Sequence, residues 1–121
     1  MTILIVTHTA DNGAPERVAE AVRARGGAAL RLDSDQFPGT IQAEIDPVGG
    51  GGTLALPAGL LPLRAVRGAW VRRLAVGHGL PLEALTADER AACLGESRAA
   101  LRALLDAIGA PVLGRPGAVA G

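Results

Sequence analysis

The sequence predicts an α/β fold, a mainly parallel sheet with an inserted antiparallel ribbon and flanking helices. Three observations lead there. Ile3-Leu4-Ile5-Val6 is an apolar run without alternation, the pattern of a parallel strand covered on both faces. Apolar residues at helical spacing follow it, and then a second short apolar run. Further along, alternation and Gly/Pro turns replace the helical period, which marks the ribbon.

Each element has its own signal. After the first strand comes the polar loop Thr7 to Gly13, and Pro15 suits the first turn of a helix. Ala14, Val18, Ala21 and Val22 form the apolar stripe of that helix, and Gly26-Gly27 ends it. Ala28 to Leu32 is the second strand, closing in the turn Asp33-Ser34-Asp35. Strand, helix and strand make a βαβ unit. Thr40 to Ile45 alternates polar and apolar, as a strand with one wet face does. Gly49 to Gly52 reads as a hairpin turn into Thr53 to Leu56, and Pro57-Ala58-Gly59 turns again into Leu60 to Leu63. Gly68 to Val71 is a further strand, running into the paired cations Arg72 and Arg73. Thr86 and Glu89 form a capping box that opens the longest helix. Its stripe is Leu94, Leu101, Leu104, Leu105 and Ile108, and Gly109 and Pro111 stop it. Pro111 to Leu113 is the last strand. No linker or repeat divides the chain, so one domain over 1–121 is expected.

Composition narrows the function classes. The chain has 121 residues, 49% of them apolar, enough for one core. Arg plus Lys equals Asp plus Glu at 12 each, so no net charge draws it to nucleic acid or an acidic membrane. Phe37 and Trp70 are the only aromatics, too few stacking platforms for a single-strand nucleic-acid binder. One cysteine, Cys93, excludes an internal disulfide and a Cys-rich zinc site. It reads as a small buried hydrophobe of the long helix. No apolar run approaches the roughly 20 residues that span a bilayer, and no signal peptide is present, so a cytoplasmic location is expected.

The residues that carry chemistry are few. The loop Thr7 to Gly13 joins the carboxyl end of a strand to a helix, where open α/β sheets bind ligands. His8, Asp11 and Asn12 are its candidate binding residues, but the preference of helix starts for such side chains favours Asp11 or Asn12 as a cap over ligand binding. Asp33 and Asp35 read as turn formers, since the glycine fingerprint that accompanies a ribose-binding acid is missing. Arg72 and Arg73 are the strongest candidates. Adjacent strand residues point to opposite faces, so at least one meets solvent or a partner, and guanidinium forks suit carboxylates and phosphates. The alternative for them is an ion pair with the acidic loops or with another domain. Trp70 reads as core packing. His78 lies in a Gly-Pro loop with no evident partner.

Four stretches, taken in order, resemble the N-terminal, pre-ATP-grasp (Rossmann-like) domain of microviridin-type, or graspetide, ATP-grasp ligases. Ile3 to Asn12 resembles the opening strand and its Thr-His-Ser-x-Asp-Asn loop, and Leu32 to Pro38 an Asp-Thr-Asp-x-Phe-Pro turn. Ala69 to Arg73 resembles a Trp-Tyr-Arg-Arg strand end, and Glu96 to Leu101 the long helix before the ATP-grasp core. Val71 stands where the family has tyrosine, and Gly114-Arg115-Pro116 replaces its Asn-x-Pro turn. The resemblance implies the chemistry of a complete enzyme. ATP phosphorylates an Asp or Glu side chain of a ribosomally made precursor peptide, and a Ser, Thr or Lys side chain then displaces phosphate to close a macrocycle. ATP and magnesium belong to the ATP-grasp core, which this chain does not include, so no cofactor and no catalytic residue are expected here. The chain alone is expected to be inert, with that core, the precursor peptide and a second copy of itself as expected partners. Two other readings stand beside this one: a flavodoxin-like binder whose Thr-rich loop holds a phosphate, and an interaction module that pairs strands edge to edge.

Overall fold

In the computed structural model, residues 1–45 and 51–114 are described. Seven strands and two α-helices follow in chain order: β1 (Thr2–Thr7), α1 (Ala14–Ala24), β2 (Ala28–Asp33), β3 (Gln42–Ile45), β4 (Gly52–Leu56), β5 (Gly59–Pro62), β6 (Val66–Val71), α2 (Ala87–Asp106) and β7 (Val112–Leu113). β2, β1, β6 and β7 lie side by side in that order, all parallel, and β3, β4 and β5 form a separate antiparallel sheet.

The unbroken apolar run of β1 is explained by cover on both faces. Leu4 and Val6 join the main core, while Ile5, 1% exposed, faces Pro15 and Ala19 of α1. The core is shared between layers. Leu4, Val6, Leu32, Ala69 and Val71 of the parallel sheet meet Leu101, Leu104 and Leu105 of α2 and Leu54, Leu56 and Leu61 of the ribbon. So α1 lies on one face of the sheet, and α2 with the ribbon lies on the other.

The helix ends behave unequally. Thr86 caps α2 as its spacing predicts: its hydroxyl accepts from Glu89 N at 3.2 Å, and Glu89 Oε1 accepts from Thr86 N at 2.9 Å. Helix α1 is capped by neither Asp11 nor Asn12. Gly13 holds that position at φ 102°, a left-handed angle open to glycine, and Glu16 accepts from its N–H. Asp11 is drawn away by a stronger partner, described below.

Smaller differences concern the ribbon and Cys93. Strand β6 starts two residues before Gly68, and Leu63 leaves β5 for a short helical turn, Leu63–Ala65. Of the glycine turn, Gly49 and Gly50 lie outside the described residues, as do Arg115 and Pro116. Cys93 is half-buried rather than buried, because it sits in the turns of α2 that precede the fully covered Leu101.

Candidate functional site

The connections from β1 and β6 run in opposite directions across the sheet, to β2 and to β7, and over opposite faces. A crevice therefore opens between the carboxyl ends of β1 and β6, the place where open α/β sheets bind ligands. A cavity of about 350 Å³ occupies it, lined by His8, Asp11, Trp70, Val71, Arg72 and Arg73. The sequence-predicted residues His8, Asp11, Arg72 and Arg73 thus meet at one spot. Asn12 stands aside; its amide nitrogen donates to Ala10 O at 3.4 Å, within its own loop.

Arg72 is committed within the chain. Its Nε lies 2.6 Å from Asp11 Oδ2, Nη2 lies 3.3 Å from Asp11 Oδ1, and its guanidinium stands over the Trp70 ring at 4.8 Å. Thr7 Oγ1 donates to the same Asp11 Oδ2 at 2.5 Å. Hydrogen bonds from Arg72 and then Thr7 hold the Asp11 carboxyl down at about 2, below its ordinary 3.8. Trp70 is accordingly not a core residue. Its partner across the ladder is Ile5, so it stands on the α1 face, half-buried beneath Arg72. Arg73 differs from its neighbour: it is exposed, and among the described residues its side chain has no ion pair or hydrogen bond.

Two residues that the motifs did not single out hold this arrangement. Arg31, in β2, reaches under the Thr7–Gly13 loop. Its Nη2 donates to the carbonyls of His8 at 2.9 Å, Thr9 at 3.3 Å and Asp11 at 2.7 Å, while Nε and Nη1 take Asp33 at 2.7 Å and Glu16 at 2.8 Å. A charged residue inside an otherwise apolar strand was the available signal. Ser34, wholly buried, bonds backbone groups of Thr7, Arg73 and Ala75; the sequence placed it in the turn after β2 with nothing to mark this link. Asp33, the last residue of β2, pairs with Arg31 two residues back on the same strand, and only Asp35 acts across the fold. Asp35 accepts from Thr9 N at 2.9 Å and from Thr9 Oγ1 at 2.8 Å.

These bonds decide what the loop can do. An anion cradle needs free backbone N–H groups. Here the N–H of Thr9 goes to Asp35, that of Asp11 to His8 O and that of Gly13 to Glu16. The Glu16 carboxylate also occupies the positive end of α1. A phosphate would meet three filled donors and a negative charge, which counts against a flavodoxin-like phosphate loop. Among the described residues no group of three His, Cys, Asp or Glu could hold a metal ion. Nor is any helix long and apolar enough to cross a membrane. A larger cavity, about 700 Å³, lies at the opposite end of the sheet beside Gly52, Arg64 and Arg67. It is away from the crevice, and the larger volume brings together no acid–base pair or nucleophile.

Comparison with known proteins agrees with this architecture. The macrocyclase MdnC bound with precursor peptide MdnA from Microcystis aeruginosa MRC superposes with a TM-score of 0.87 at 31% identity, over 99% of this chain and 39% of that one. A RiPP-associated ATP-grasp ligase from Chryseobacterium gregarium, in complex with ADP and a leader and core peptide, gives 0.82 at 34% identity, over 96% and 35%. The macrocyclase MdnB from Microcystis aeruginosa MRC gives 0.83 at 25%, over 98% and 39%. The chain thus spans well under half the length of these relatives. No curated protein matches it. The MvdD pre-ATP grasp domain matches residues 2–119, and this chain belongs to that family.

Proposed function

We propose that this chain is the N-terminal, non-catalytic domain of a cytoplasmic ATP-dependent ligase that closes side-chain ester or amide macrocycles in a ribosomally made precursor peptide. The crevice at the ends of β1 and β6 carries the reading. One of its two arginines is neutralised by Asp11, and the other, Arg73, is left open to an acidic side chain. Macrocyclase MdnC and the Chryseobacterium gregarium ligase are bound to peptide, which supports a peptide as what this crevice meets.

ATP and magnesium come with the ATP-grasp core, the main partner of this chain in the ligase. When bound there, they supply the activated phosphate and the charge that offsets it. The described residues of this chain offer neither group a built site, because the loop amides of Thr9, Asp11 and Gly13 are taken and no carboxylate cluster is assembled among them. Their part is to fix one wall of the peptide cleft. Self-association would use the apolar groove that the exposed Met1 and Leu113 line together with Ile3, Val18 and Trp70.

Calorimetry on the 121-residue chain tests the reading. ATP–magnesium and flavin mononucleotide should give no binding heat, and a Glu-bearing precursor peptide should bind. Tight nucleotide or flavin binding would contradict the proposal.

A further inference from the structure

Ser34 is polar and fully buried, and its hydroxyl joins the three strand ends that surround the crevice. It follows β2 directly. Its Oγ donates to Thr7 O at 2.8 Å, where β1 ends, and lies 3.1 Å from Arg73 O, just beyond β6. It accepts from Ala75 N at 2.8 Å. A hydroxyl has one proton and two lone pairs, so the two carbonyls share the proton and the Ala75 amide fills a lone pair. No ladder makes this connection, because β2 and β6 lie on opposite sides of β1.

We propose that Ser34 is a positioning residue: it fixes the Arg73 to Ala75 segment against the end of β1, and so aims Arg73 into the crevice beside His8. The assignment rests on the reading of Arg73 as the peptide contact. The Arg72 and Arg73 amides already bond Val6 O, at 2.7 and 3.4 Å, which sets the strand end. The Arg73 carbonyl and the Ala75 amide, which set the direction in which the chain leaves it, depend on Ser34.

The test is a cycle of peptide affinities. A synthetic peptide of alternating Thr and Glu is titrated into wild type, S34C, R73A and the double variant, with folding checked by circular dichroism. Cysteine keeps the volume while offering only a weak donor and acceptor. S34C should weaken binding about fivefold to tenfold, S34T should restore it, and the double variant should bind no more weakly than R73A alone. A purely structural role would give effects that add, and that result, or an S34C affinity equal to wild type, would overturn the assignment. If R73A binds as wild type does, the peptide reading itself fails and Ser34 has nothing to position. Amide exchange in the wild-type chain tests the link without any variant. The bond to Ser34 should slow exchange of the Ala75 N–H, and fast exchange would overturn the link.

Discussion

Arg72 and Asp11 are 61 residues apart in sequence, and their side chains form a two-pronged ion pair, 2.6 Å at its shorter contact, across the mouth of the crevice. The pair closes one cation and leaves the next one open. It also gives the fold a dependence on pH. The Asp11 pKa is about 2 in the folded chain against an ordinary 3.8. The unfolded state therefore binds the proton first, and the pair's contribution is fully present above about pH 4 and lost as pH falls through 2. The urea midpoint of Asp11→Asn should lie below that of wild type at neutral pH, and the gap should shrink between pH 4 and 2. Trp70, the lone tryptophan, should report the same change by fluorescence, because Arg72 stands over its ring.

Arg31→Ala should be the more damaging change. It leaves the carbonyls of His8, Thr9 and Asp11 and two carboxylates without their donor. The site is about a quarter exposed, so water replaces part of what is lost, and a cost of about 1–3 kcal/mol is expected in urea unfolding. Amide exchange in residues 8–11 should accelerate with it. An unchanged midpoint would show that the loop holds its own shape.

Gly52→Ala tests the ribbon. Gly52 opposes Ile45 in the antiparallel ladder, and a Cβ at that position would overlap the Glu44 carbonyl oxygen. Backbone must move to admit it, so a loss of about 1–3 kcal/mol is expected, read as a lower thermal midpoint. A neutral result would mean that β3 and β4 adjust freely.

Much of the fold was legible because each element announces itself within a few residues. The continuous run of β1 revealed cover on both faces, and Thr86 with Glu89 located the start of α2. The site was half legible. Arg72 and Arg73 looked equivalent as neighbours on a strand end, and only the fold shows that Asp11 takes one of them. The same pairing explains why the capping role expected of Asp11 falls to Gly13: a guanidinium fork and the Thr7 hydroxyl already occupy its carboxylate. Arg31 and Ser34 act through backbone groups of distant loops, and such partners have no sequence signature.

Arg72 and Arg73 divide the labour of the crevice, and their alanine variants, compared side by side, separate the two roles. Urea midpoint and affinity for a Glu-bearing precursor peptide are measured on both. Arg72→Ala should lower the midpoint, because it frees Asp11 and uncovers Trp70. Arg73→Ala should leave the unfolding free energy within about 0.5 kcal/mol of wild type and weaken peptide binding about tenfold. A stable Arg72→Ala together with a destabilised, peptide-competent Arg73→Ala would overturn this division of roles.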